Sequence, residues 1–125
     1  MKNADDNVVL EQFKTNTTED YIRRFCKPPN LKVNKNDTNL AVTIARNCCR
    51  MKLASDHNPA SVAAGSILVM IEHCGLDIEK KEIAKIFGTS DVTISKIYNK
   101  ISPYIDALID DETTDHLIKK FKIYG

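Results

Sequence analysis

Three observations in the sequence predict an all-α fold. Apolar residues recur at i, i+3, i+4 and i+7 along most of the chain, the spacing at which a helix buries a single stripe. Only four Gly, four Pro and no Trp occur in 125 residues, too little turn material for a fold of many strands. The run from Ala60 to Cys74 is apolar almost all round, as a helix enclosed by its neighbours should be. At 42% hydrophobic and 28% charged, the chain can build one modest core, so it reads as one domain with tails.

Residues 1–16 read as a linker or N-terminal extension, polar except for Val8, Val9, Leu10 and Phe13. Thr17 or Thr18 caps the first helix, with Glu19 and Asp20 in its opening turn. That helix turns Tyr21, Ile22 and Phe25 inward and Arg23 and Arg24 outward. Pro28-Pro29 ends it at Cys26 or Lys27, and a basic loop follows over 30–36. Asp37 opens a second helix running to Leu53. It buries Leu40, Ala41, Ile44, Ala45, Cys48 and Met51, and sends Arg46, Arg50 and Lys52 into solvent. Asn58 as N-cap and Pro59 at the first helical position start the third and central helix, which Gly75 ends. Its Ala63, Ala64 and Gly65 permit close approach of neighbours. Asp77 is the expected cap of the fourth helix.

Residues 79–101 carry the most informative pattern, a helix-turn-helix. Ile83, Ala84 and Phe87 line one face of its first helix, and Ile94, Ile97, Tyr98 and Ile101 one face of its second. Between them Gly88 supplies the positive φ of a tight exit, and Ser90 caps the second helix with Asp91 at its positive end. Opposite the buried face, Val92, Ser95, Lys96 and Asn99 form their own stripe. In a DNA-bound motif that stripe enters the major groove. There Val92 meets a thymine methyl, Ser95 either kind of base, Asn99 an adenine edge, and Lys96 a guanine or a phosphate. Lys80, Lys81, Lys85 and Lys100 are candidates for phosphate contacts. The same geometry also occurs in helical domains that bind only protein.

Ser102-Pro103 interrupts the last helix of the motif, and Tyr104 to Ile109 are apolar enough to pack back on the domain. Asp110-Asp111-Glu112 is a solvated, charged break. Residues 110–125 form a C-terminal extension in which His116, Leu117, Ile118, Phe121, Ile123 and Tyr124 give an amphipathic turn or two. Net charge is +1 and therefore uninformative, but its distribution is uneven. Residues 21–52 hold eight Lys or Arg against the single acid Asp37, and the helix-turn-helix adds further lysines. Cys26, Cys48, Cys49 and Cys74 form no Cys-x-x-Cys pair, so they read as small buried hydrophobes in a reducing, intracellular setting. No metal or other cofactor is expected. No apolar run has the length of a membrane span, and no phosphate-binding Gly-rich loop or polar pocket points to an enzyme.

The segment NPASVAAGSILVMIEHCGLDIEKKEIAKIFGTSDVTISKIYNKISPYIDAL resembles the second cyclin-like repeat of transcription factor IIB and its archaeal and RNA polymerase III relatives. The points of likeness are the Asn-Pro start and Ala-rich helix at Asn58 to Met70, then Lys81-Glu82-Ile83, then Asp91 to Ile94, then Tyr98 to Ile101. Tyr21 to Cys26 and Ile44-Ala45-Arg46 are similar to the repeat's first two helices, so the likeness covers about residues 17–109. It implies five helices around a central one, the last two forming the helix-turn-helix. It also implies a non-catalytic nuclear initiation factor that meets promoter DNA and the TATA-binding protein, and RNA polymerase through parts absent from this chain. The chain shows no Cys-rich zinc ribbon and no first repeat, and so is expected to be a fragment or a single-repeat variant. In the family the base contacts come from the Val matched by Val92 and from an Arg at the position of Ser95. That departure favours DNA docking over base reading. The alternative is a cyclin box that binds protein without touching DNA.

The groove-facing assignment has a direct test. Lys96→Ala with Asn99→Ala is expected to weaken duplex association while leaving the melting temperature unchanged. A fall of many degrees in thermal unfolding would show that this face of the helix is buried.

Overall fold

Asn58 and Pro59 fix where the central helix begins. The Asn58 side chain accepts the Ser61 backbone N–H at 2.9 Å, and Pro59 occupies a first-turn position that needs no donor. At the other end Gly75 takes φ 69, so its N–H reaches back to the Ile71 carbonyl. The computed structural model describes residues 18–121, and this helix, Pro59–Cys74, lies at their centre. Every residue from Ser61 to Ile71 is buried.

In chain order the described elements are α1 (Thr18–Phe25), α2 (Lys35–Arg50), α3 (Pro59–Cys74), α4 (Lys80–Phe87) and α5 (Asp91–Ile101). A 3-10 turn (Ser102–Tyr104), α6 (Ile105–Leu108) and α7 (Asp111–Phe121) follow. No strand occurs among the described residues. Helices α1, α2, α4 and α5 all pack on α3, so the expected frame of five helices around a central one is present. The core runs through Ile22, Leu31, Ile44, Ile67, Met70, Ile83, Ile94, Ile97, Ile101 and Leu108, each with at most 1% of its surface exposed. The expectations for residues 1–16, Thr17, Ile123 and Tyr124 lie outside the described residues.

Helix α1 ends at Phe25, one residue short of the expected Cys26 or Lys27, and helix boundaries differ from the sequence reading in three further places. Helix α2 begins at Lys35 rather than Asp37, because the Asn34 side chain accepts the Asp37 N–H at 2.7 Å and donates to the Asp37 carboxylate. It ends at Arg50 rather than Leu53. Lys52 takes φ 55, and the Leu53 N–H returns to the Cys48 carbonyl at 3.1 Å, a left-handed closure made without glycine. Helix α4 begins at Lys80. Asp77 does not cap it, because Leu76 and Ile78 pack against the core and hold the intervening residues out of the helix.

The acidic segment after Ile109 is the larger correction. The acids are solvated as expected, but they open a helix rather than break one: Asp110 caps α7, its carboxylate accepting the Glu112 N–H and the Thr113 hydroxyl. Asp111 then binds Arg46 at 3.1 Å and the Asn47 amide at 3.0 Å, and Asp115 pairs with Arg50. Arg46 and Arg50 face solvent as expected, and from there they hold α7 against α2. Asn47 is fully buried and satisfied, since its amide also donates to the Leu108 carbonyl and its oxygen accepts from Arg50. Fully buried Thr114 donates to the Ala107 carbonyl at 2.7 Å. A short polar seam therefore closes the end of the domain, with Leu117 and Ile118 packed beside it.

The cysteines divide by environment. Cys26 and Cys48 are buried, and burial pushes each thiol up to about 12, which keeps it protonated and inert. Cys74 is partly exposed, its thiol raised by burial first and then by Asp37. Cys49 is exposed, unlike the buried hydrophobe expected, because it follows Cys48 on α2 and so points away from the core.

Two outcomes follow from this packing. A Cβ added at Gly65 would lie 2.4 Å from Cγ2 and 2.8 Å from Cβ of Ile97, so Gly65→Ala is expected to cost about 1–3 kcal/mol of stability, read by denaturant unfolding. The Asp111 carboxyl is held below the ordinary aspartate range, by the Asn47 amide first and Arg46 second. A lowered value contributes stability above about pH 4, and that stability is lost as pH falls through the depressed value. With 52% of this side chain exposed, the contribution is expected to stay under about 1 kcal/mol. Between pH 6 and pH 3 the melting temperature should fall further for the wild-type chain than for Asp111→Asn.

Candidate nucleic-acid interface

The turn between α4 and α5 is built from local chemistry. Gly88 closes α4 at φ 64, with its own N–H and that of Thr89 returning to the Ala84 carbonyl. Ser90 then caps α5, accepting the Thr93 N–H at 3.2 Å and donating its hydroxyl to Thr93 Oγ1 at 2.9 Å. These bonds fix the direction in which α5 leaves the turn.

Packing fixes its rotation. Ile94, Ile97 and Ile101 have no exposed surface, and Tyr98 is half-buried beside them. Ile97 sits over Gly65 of α3 at a distance no larger residue would allow. On the opposite side Val92 is 64% exposed, and Lys96 and Asn99 are also exposed. Three of the four predicted groove-facing residues therefore share one open face. An exposed branched apolar residue beside a cation and an amide has no packing role on that face.

Ser95 differs. It lies on the edge of the stripe toward α4, is half-buried, and accepts a 2.8 Å hydrogen bond from Lys80 Nζ. The bond spans the turn, joining the first residue of α4 to the second turn of α5. Lys81 and Lys85 are exposed and one helical turn apart, so they form one basic edge of α4. Neither forms an ion pair among the described residues. Lys100 is committed elsewhere. Its ammonium binds both Asp56 oxygens at 3.0 and 3.1 Å and approaches His57 Nε2 at 3.3 Å. Asp56 is correspondingly held below its ordinary range by Lys100. Lys100 thus anchors the α2–α3 loop to α5, where the sequence reading had it free for phosphate.

The two basic segments of the sequence adjoin. Phe25 meets Phe87 edge to face with centroids 4.8 Å apart, which brings the start of the basic loop against the end of α4. Lys32 of that loop lines a surface hollow together with Asp77 and Glu82. Among the described residues no group of three or more His, Cys, Asp or Glu converges as a metal site would, and no helix is long and apolar enough to cross a membrane.

A helical repeat that buries one central helix and carries a capped helix-turn-helix on its rim belongs to the cyclin-like class. The family described as the transcription factor TFIIB repeat matches residues 11–103, and the chain belongs to that family. It is 63% identical, over its whole length, to a putative transcription initiation factor IIB-like protein of Acanthamoeba polyphaga mimivirus. It is also 35% identical over 77% of its length to transcription initiation factor IIB of Xenopus laevis, and 37% identical over 70% to that of Homo sapiens. It spans 27%, 31% and 27% of those three relatives, between about a quarter and a third of each.

The sequence missed two contacts at this site, Lys80 with Ser95 and Gly65 with Ile97. A signal for the first was present, since Lys80 stands at the start of a helix, where the macrodipole disfavours a cation. Nothing local paired Gly65 with a residue 32 positions away.

Proposed function

We propose that this repeat acts without catalysis as a promoter-docking module of the transcription factor IIB class, the second cyclin-like repeat of such a factor. In this reading α5 enters the major groove, while Lys81 and Lys85 of α4 lie along the phosphate backbone with Lys96 beside them. One observation carries it: the face of α5 opposite the three buried isoleucines presents Val92, Lys96 and Asn99 together to solvent. The apolar side of the helix is already satisfied by α3, so this open face is available to a partner. Membership of the family supports the wider role, in which the module joins the TATA-binding protein on promoter DNA in the nucleus. RNA polymerase is then met through other parts of a longer factor. Alone, the module is expected to hold DNA weakly, because it lacks the gain in effective concentration that linked contacts give.

A duplex-binding titration at several salt concentrations tests this. Three phosphate contacts predict a slope of log affinity against log salt near −3, or about a fortyfold loss between roughly 50 and 200 mM. Addition of the TATA-binding protein on promoter DNA should raise the affinity. A salt-independent interaction, or no binding even with that protein present, would favour the protein-binding cyclin-box reading.

A further inference from the structure

The Lys80–Ser95 bond places a cation where the sequence alone put only a hydroxyl. Lys80 is the first residue of α4, whose N-cap Glu79 makes no side-chain capping bond, so the local field disfavours a positive charge there. Yet its ammonium is held in place rather than left free. It is half-buried and fixed at 2.8 Å from Ser95 Oγ, beside the stripe formed by Val92, Lys96 and Asn99. An ammonium has three N–H donors, and this bond uses one. No carboxylate pairs with the group among the described residues. Two donors therefore remain, on a side chain whose orientation the hydroxyl has already set.

We propose that Lys80, positioned by Ser95, reads a guanine in the major groove through its O6 and N7 acceptors. This rests on the docking role above and goes beyond it by assigning base discrimination to a residue of the first helix of the motif. Lysine is a suitable donor for the two adjacent guanine acceptors, and no other base presents that pair on its major-groove edge. Orientation by the hydroxyl reduces the rotamer freedom that a four-carbon side chain loses on binding. Lys81 and Lys85, which no such bond orients, contact phosphate and carry no sequence information.

The test is selection from a randomised duplex library by the full 125-residue chain and its variants, followed by affinity measurements on the selected duplex. The wild-type chain should enrich guanine at one position, with about tenfold discrimination against the other bases. Lys80→Met should abolish that preference. Lys85→Met should instead weaken binding to all duplexes alike and make the salt slope shallower by about one, with the preference kept. Ser95→Ala leaves the cation in place but unoriented, and should reduce the preference without altering the salt slope. Replacing the selected guanine with 7-deazaguanine, which lacks the N7 acceptor, should lower wild-type affinity and leave Lys80→Met unaffected. Equal behaviour of the Lys80 and Lys85 variants, or enrichment of no guanine by the wild-type chain, would overturn the assignment while leaving DNA docking intact. Absence of any duplex binding, even with the TATA-binding protein present, would overturn both.

Discussion

Helix α5 presents its outer face because Gly65 lets Ile97 sit against the backbone of α3. With a Cβ absent at that one position, the second helix of the motif rests directly on the central helix, and Ile94 and Ile101 are sealed on either side of the contact. Close-packed interiors transmit small displacements, so the seating of Ile97 sets the rotation of the whole helix. The exposure of Val92, Lys96 and Asn99 is the outer consequence of that inner contact. Capping by Ser90 and the left-handed closure at Gly88 fix where α5 starts, but they do not choose which side faces water.

Polar contacts perform a different task at the edges of the domain. Lys100 ties α5 to the loop before α3 through Asp56, and Lys80 ties α5 to α4 through Ser95. Exposed ion pairs such as the first contribute little stability, and the second is a single part-buried hydrogen bond. Their value lies in direction. The first removes a cation from the open face, and the second brings one toward it. The charge a partner would meet on this surface is therefore not the charge counted along the sequence. At the far end of the domain the buried Asn47 makes α6 and α7 part of the same packed body, where a row of acids alone reads as a solvent-exposed break.

The family relationship and the packing support the same functional reading from separate directions. Membership of the transcription factor TFIIB repeat family rests on residues spread over most of the chain, many of them in the core. The proposed docking face rests on a few exposed side chains that the core merely orients. A repeat can keep its fold while these side chains change, since surface substitutions away from packing features cost little stability. Ser95, where the resemblance implies arginine, is such a position, and its hydroxyl is held by Lys80 of the neighbouring helix.

Much of this protein was decided by sequence-local physics. Helical periodicity, the Asn58-Pro59 start, the Gly75 and Gly88 stops and the Ser90 cap each act within a few residues, and the first five helices are legible from them. So is the apolar face of α5, because three isoleucines at three- and four-residue spacing have only one common direction. Where local signals competed, reading them in isolation failed. Asn34 out-competed Asp37 as a cap, and Lys52 made a left-handed closure that glycine normally makes. Contacts between distant residues were left to the tertiary structure: Gly65 beneath Ile97, α7 folded onto Arg46 and Arg50, Lys100 drawn to Asp56, and Lys80 held by Ser95. Each depends on two segments meeting through the core, and a linear pattern carries no information about which exposed charge will find a partner there. The sequence determined that a helix-turn-helix exists and which residues line it. Only the packed structure decided which of those residues remain free to touch something else.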